Sequence, residues 1–183
     1  MKHNIKKTLI LFLVFISASL AILSGCKKSS DNLLASENSY VKAAASATQI
    51  NVRLYKYEIG DVSKPAETVL FLFDKTKFET DTLNFLNEIL AEDELSLTDA
   101  KLDKKNKCIT ADVSPKIAGL LNSGKETADA ITNELVVTLQ NMPGIEKVVL
   151  TVGGKKDSTG TNYNFKGTFV KTGEITFKRD ETK

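Results

Sequence analysis

Serine, lysine, glycine and carboxylate side chains fall at several spacings that reactive sites use. Ser39-Tyr40-Val41-Lys42 reads S-x-x-K, Ser30-Asp31-Asn32 reads S-D-N and Lys171-Thr172-Gly173 reads K-T-G, strings that together can build a serine acyl-transfer centre. The first two stand in reversed order in a stretch with no element to orient a nucleophile, so the set is read as coincidence. Gly119 to Lys125 (GLLNSGK) comes close to a phosphate-binding loop, whose backbone N–H groups and lysine hold phosphates. Glu126 stands where that loop needs a magnesium-binding Ser or Thr, and its carboxylate repels phosphate. Ser123 and Glu126 have instead the spacing of a capping box that opens a helix. Asp112, at a strand end just before Ser114-Pro115, is expected to accept from local backbone N–H groups. Cys108 reads as a small packed residue, because no His or second Cys accompanies it to activate the thiol. No His/Cys cluster, EF-hand spacing or carboxylate pair stands out, so no catalytic, cofactor-binding or metal-ligating residue is assigned.

Composition narrows the chemistry further. The 183 residues, 42% hydrophobic and 26% charged, suffice for one well-cored domain. The lone histidine, His3, lies in a segment expected to be removed, which would leave the mature chain without an imidazole base or ligand. Loss of residues 1–25 takes Lys+Arg from 25 to 22 and leaves Asp+Glu at 23, so a formal charge of +2 becomes −1. Such a balance carries no electrostatic footprint for nucleic acid, and none is expected as a partner.

The N-terminus is the most explicit part of the chain. Lys2, Lys6 and Lys7 precede an apolar run from Leu9 to Leu23 broken only by Ser17 and Ser19. A spanning helix needs about 20 apolar residues, so this shorter run is predicted to be a secretory signal peptide, residues 1–25. It ends in Leu23-Ser24-Gly25-Cys26, which resembles the bacterial lipobox. That resemblance implies that Leu23, Ser24 and Gly25 are recognised by the lipoprotein signal peptidase. It also implies that Cys26 receives a diacylglycerol and becomes the new N-terminus. Palmitate and similar chains, each worth about 0.8 kcal/mol per buried CH₂, would then hold the protein on the membrane. The 22 residues after Cys26 include five Ser and five Ala without an apolar period, so residues 26–48 read as a lipidated cysteine and a flexible tether spanning roughly 25 Å. The expected location is extracytoplasmic, lipid-anchored to the bacterial cell membrane. With Cys26 committed to lipid, only Cys108 remains and no intrachain disulfide is expected.

Folding is predicted to begin at Gln49. Ile50, Val52 and Leu54 alternate with Asn51, Arg53 and Tyr55 as in a half-buried strand. Val69 to Phe73 (VLFLF) is a continuous apolar run, suited to a strand covered on both faces. Leu83, Leu86, Ile89 and Leu90 have helical spacing behind a Thr80 or Asp81 cap. Leu95 to Leu102 and Lys107 to Val113 read as a hairpin turning at 103–106, and Ser114-Pro115 opens a short helical turn. A longer helix follows with Ala128, Ile131, Leu135, Leu139 and Met142 on one stripe, and Pro143-Gly144 leads into a strand from Ile145 to Val152. Tyr163 to Lys178 is expected to form a hairpin about Thr172-Gly173. The predicted fold is α+β, a single compact domain with a mixed or antiparallel sheet and two main helices packed on it.

Four segments, VRLYKY, ADVS at 111–114, SGKETADAITNEL and NMPGIEKVVLTVGGK, make this chain similar to the GerMN domain of sporulation and spore-germination lipoproteins. The resemblance runs from Gln49 to Lys155, giving a GerMN-like domain over 49–155 and a C-terminal extension over 156–183. It implies a module similar to ring-building or assembly modules of the cell envelope, with no catalytic residues. The expected function is a membrane-anchored scaffold or protein-interaction module, in sporulation or germination, that works through a sheet edge or exposed helix face. Its expected partners are the membrane, through Cys26, and envelope proteins or further copies of itself. The alternative is a lipoprotein that binds a solute or cell-wall glycan, for which the absence of Trp and the presence of four Tyr leave little stacking surface.

Overall fold

The structure is a computed structural model and describes residues 49–181. Two strands, β1 (Gln49–Lys56) and β2 (Glu67–Asp74), form an antiparallel pair. They are followed by helices α1 (Lys75–Thr80) and α2 (Thr82–Leu90) and a single 3-10 turn at Ala91–Asp93. Then come β3 (Leu97–Asp103), β4 (Cys108–Val113), α3 (Pro115–Leu121), α4 (Lys125–Gln140), β5 (Lys147–Val152), β6 (Thr168–Lys171) and β7 (Phe177–Asp180). The last five strands build one sheet in the order β3-β4-β5-β6-β7. Its only parallel pair is β4 with β5, and the α3–α4 connection supplies the crossover such a pair requires. The expected α+β architecture with a mixed sheet is therefore present. The tail hairpin forms too, closed by Thr172 and Gly173 N–H groups on the Thr176 carbonyl, and it adds the last two strands to the sheet.

The larger of two apolar clusters holds the layers together. Ile109, Ala111 and Val113 of β4 and Val148 and Leu150 of β5 are buried against Leu135 and Leu139 of α4 and Phe85, Leu86 and Ile89 of α2. The alternation within β4 is as expected, with Cys108, Thr110 and Asp112 half-buried on the opposite face. Every residue of α4 from Glu134 to Gln140 is buried, because this helix has a neighbour on two sides. One side meets the large sheet, while Ala130 and Val137 pack with Tyr55 and Tyr57 of the β1 segment. A helix buried all round is apolar on more than one stripe, which is why Val136 and Val137 accompany the predicted Leu135 and Leu139.

Local signals were followed with three departures. Ser114 caps α3 as expected, its Oγ accepting from Ile117 N–H at 3.4 Å with Pro115 in the first turn. Ser123 and Glu126 do not form a capping box. The Ser123 hydroxyl donates to the Leu120 carbonyl at 2.7 Å, closing α3, and α4 starts one residue later from Gly124 without a side-chain cap. Asp81 does sit at the cap position of α2, yet its carboxylate accepts from the Asn84 side chain at 2.8 Å and not from a backbone N–H. A helix the sequence pattern had not signalled, α1, is nucleated by Asp74, whose Oδ1 accepts from both the N–H and the hydroxyl of Thr76 at 2.8 Å.

Candidate interaction surface

A further departure concerns β2 and creates the candidate site. Opposite partners in an antiparallel pair share a face, so Leu70 lies beside Arg53 and Leu72 beside Asn51, while Val69 and Phe73 stand beside Leu54 and Ile50. The second set faces inward, where the Phe73 ring meets Phe85 at 4.8 Å. The first set faces out. Leu70 is 54% and Leu72 51% exposed, so VLFLF is covered on one face and not two. The physical reason lies in the partner strand: β1 alternates, and its Asn51 and Arg53 side would be stranded in any apolar layer. β2 also pairs with β1 alone, leaving its second edge without a strand partner among the described residues. An open edge beside two exposed leucines is a ready template for strand addition.

Four hydrogen bonds hold this pair of strands in place. Arg53 Nη1 and the Tyr55 hydroxyl both donate to Glu174 Oε1, at 2.9 and 3.0 Å, latching β1 to the turn between β6 and β7. Asn141 Nδ2 donates to the Glu174 carbonyl at 2.6 Å and ties that turn to the end of α4. On the β1 edge away from β2, Tyr55 N–H donates to the buried Thr138 hydroxyl at 3.1 Å. Burial pushes the Tyr55 hydroxyl above its ordinary range, against the opposing pull of the Arg53 guanidinium, so it remains a donor. Tyr57 is pushed up to about 12 by burial and then by Tyr55. Acidic side chains, Glu67 and Asp74, mark the two ends of β2.

The sequence-singled residues scatter. Leu23, Ser24, Gly25 and Cys26 lie outside the described residues, as do Ser30, Asp31, Asn32, Ser39 and Lys42. Lys171 of the K-T-G string donates to the Asn141 side chain at 2.7 Å and to the Gln140 carbonyl, a purely structural engagement. Cys108 is half-buried and burial pushes its thiol up, away from the reactive thiolate. Asp112 has a structural role, but its partners are not local. Oδ1 accepts from Thr151 hydroxyl at 2.6 Å and Gly154 N–H at 2.8 Å, and Oδ2 from Thr98 hydroxyl at 2.6 Å, so it bridges β3, β4 and the end of β5. Burial alone would raise this carboxyl, yet the three donors together hold it below the usual carboxylate range. Leu70 and Leu72 were missed as exposed residues, although the polar positions of INVRLYKY carried the signal.

No helix among the described residues is long and apolar enough to cross a membrane. No protein-family model matches the chain, and no curated protein matches it. Among solved structures it is similar to the tandem GerMN domains of the sporulation protein GerM from Bacillus subtilis, at 21% identity and a TM-score of 0.41 over 61% of this chain. The chain spans 41% of the length of that tandem. It is also similar to a Clostridium perfringens chain assigned as a lipoprotein, at 19% identity and a TM-score of 0.37, covering 67% of this chain and 88% of that one.

Proposed function

We propose that this chain is an extracytoplasmic bacterial lipoprotein, cut before Cys26 and held by lipid on that residue, whose domain from Gln49 onward binds a protein and does not catalyse a reaction. Residues 26–48 tether it to the membrane. The occupant of the surface is an extended segment of another envelope protein, added as a strand to the open edge of β2 with apolar side chains over Leu70 and Leu72. The observation that carries this reading is the exposure of those two leucines beside a strand edge with no strand partner among the described residues, a combination soluble surfaces normally blunt. Glu67 and Asp74 at the strand ends favour a segment with basic residues at its own ends. A sporulation or germination setting rests on the sequence resemblance alone.

The test places a photo-cross-linking amino acid at position 70 or 72 of the full chain in intact cells, with position 120 as a control of similar chemistry. The expected result is one envelope protein captured from 70 and 72 and not from 120, with capture lost when the neighbouring leucine becomes Lys. Identical products from all three positions would overturn the reading. A product containing only a second copy of this chain would overturn the assignment to another protein.

A further inference from the structure

A concavity lined by none of the β2 residues lies between the first half of α4 and the loop 159–164. It encloses about 540 Å³ and takes Lys125, Asp129 and Thr132 from the helix, the loop itself, and Arg179 from β7. That volume is in the range of small-molecule sites, roughly 300–1,000 Å³. We propose that it binds an acidic carbohydrate: a polyhydroxylated ring carrying a carboxylate.

The loop is built rigidly enough to be a site. Asn122, at the end of α3, accepts the Thr161 N–H on its Oδ1 at 3.0 Å, and its carbonyl accepts Asn162 Nδ2 at 2.9 Å. Gly160 N–H donates to the Tyr163 carbonyl at 3.0 Å, and a Cβ on Gly160 would stand 2.1 Å from the Tyr163 ring, so only glycine fits. The Tyr163 ring is fixed in turn against Phe165 at 4.8 Å. What this framework leaves unused is chemically specific. The hydroxyls of Thr132, Thr159, Thr161 and Tyr163 make no hydrogen bond to another described residue, yet all four line the cavity. Hydroxyls that both donate and accept around a held aromatic ring match the alternating donors and acceptors of a sugar. The charge selects an acid. Lys125 is engaged by Asp129, whereas Arg179 rests over the Phe169 ring at 5.2 Å and reaches Glu181 only at 3.9 Å. Its planar fork therefore has donors to give a carboxylate.

The full-length protein in detergent is titrated calorimetrically with N-acetylmuramic acid, with N-acetylglucosamine as the uncharged sugar and inorganic phosphate as the bare anion. The expected result is saturable millimolar binding of the sugar acid, with the other two at least about tenfold weaker, the value of one charge-assisted contact. Arg179→Gln is expected to erase the preference for the acid while keeping sugar binding. Thr161→Val, on the loop surface and away from the core, is expected to weaken both sugars equally. An unchanged unfolding midpoint certifies each variant. Absence of saturable sugar binding would overturn the proposal, as would phosphate binding as tightly as the sugar acid or a preference that survives Arg179→Gln.

Discussion

Two acids in this chain show how surroundings and not residue type decide a charge. Asp112 has three donors and stays ionised. Glu134, at mid-helix in α4, is 2% exposed and its Oε1 has no partner among the described residues, so burial first and the neighbouring Asp93 carboxylate second push it up to about 9. The Tyr57 N–H and Lys56 oppose that shift without reversing it. A carboxyl whose folded pKa is raised takes up its proton more tightly than the unfolded chain does. Its contribution to stability is therefore whole below the ordinary value of 4.5 and is lost as pH rises from there toward 9. Glu134→Gln keeps the shape and a neutral head that cannot titrate. Urea unfolding is expected to find the variant level with the parent near pH 4 and ahead of it by roughly 1 kcal/mol per pH unit above that, flattening near pH 9. A variant that is less stable than the parent at pH 8 would mean that Glu134 is ionised and paired in the native protein.

Elements depend on a few backbone positions more than on any side chain. Gly167 leads into β6 at φ +77°, its N–H donating to Asp157 Oδ1 at 2.8 Å, and a Cβ there would meet the Asp180 carbonyl oxygen at 2.3 Å. That oxygen belongs to the backbone of β7, so relief requires the two strands to part. Gly153 has a similar φ of +59° with nothing within 4 Å. Gly153→Ala is expected to cost about 1–2 kcal/mol, the left-handed strain alone. Gly167→Ala is expected to cost at least about 1 kcal/mol more, read from chemical denaturation of both variants, and equal costs would show that β6 and β7 yield freely. The same contrast explains what the sequence made legible. The stripe of α4, the β3–β4 hairpin, the Ser114-Pro115 start and the tail hairpin were all readable because each is specified by residues close in sequence. The one-sided burial of β2, the missing cap of α4 and the partners of Asp112 were not, because each is decided by a neighbour that sequence distance hides: Asn51 and Arg53 across the pair, Leu120 one turn back, Thr98, Thr151 and Gly154 on other strands. The lining of the polar cavity belongs to the same class, since Arg179 is about fifty residues from Asp129 and no spacing rule joins them.

At the scale of the whole molecule, anchor and domain are expected to be separable. Every fully or nearly buried hydrophobic residue described lies between Val52 and Phe169. Under the proposed reading the Cys26 thiol takes the lipid and the Gly25–Cys26 peptide bond is cut only afterwards, because the peptidase cuts before a cysteine already modified. Cys26→Ser is therefore expected to remove both together in the native host. The parent should incorporate labelled palmitate, enter the detergent phase and have lost residues 1–25 by mass. The variant should carry no label and keep its precursor mass, while its domain unfolds at the parent's midpoint. Cys108 supplies the internal control: it is the one thiol left in the variant, half-buried on β4 and held in its unreactive form by burial, so label persisting after Cys26→Ser would have to come through a group other than a free surface thiol. A parent that takes up no label, or a variant that is still cut at position 26, would remove the lipid anchor and leave the β2 surface to act on a chain that is not held at the membrane.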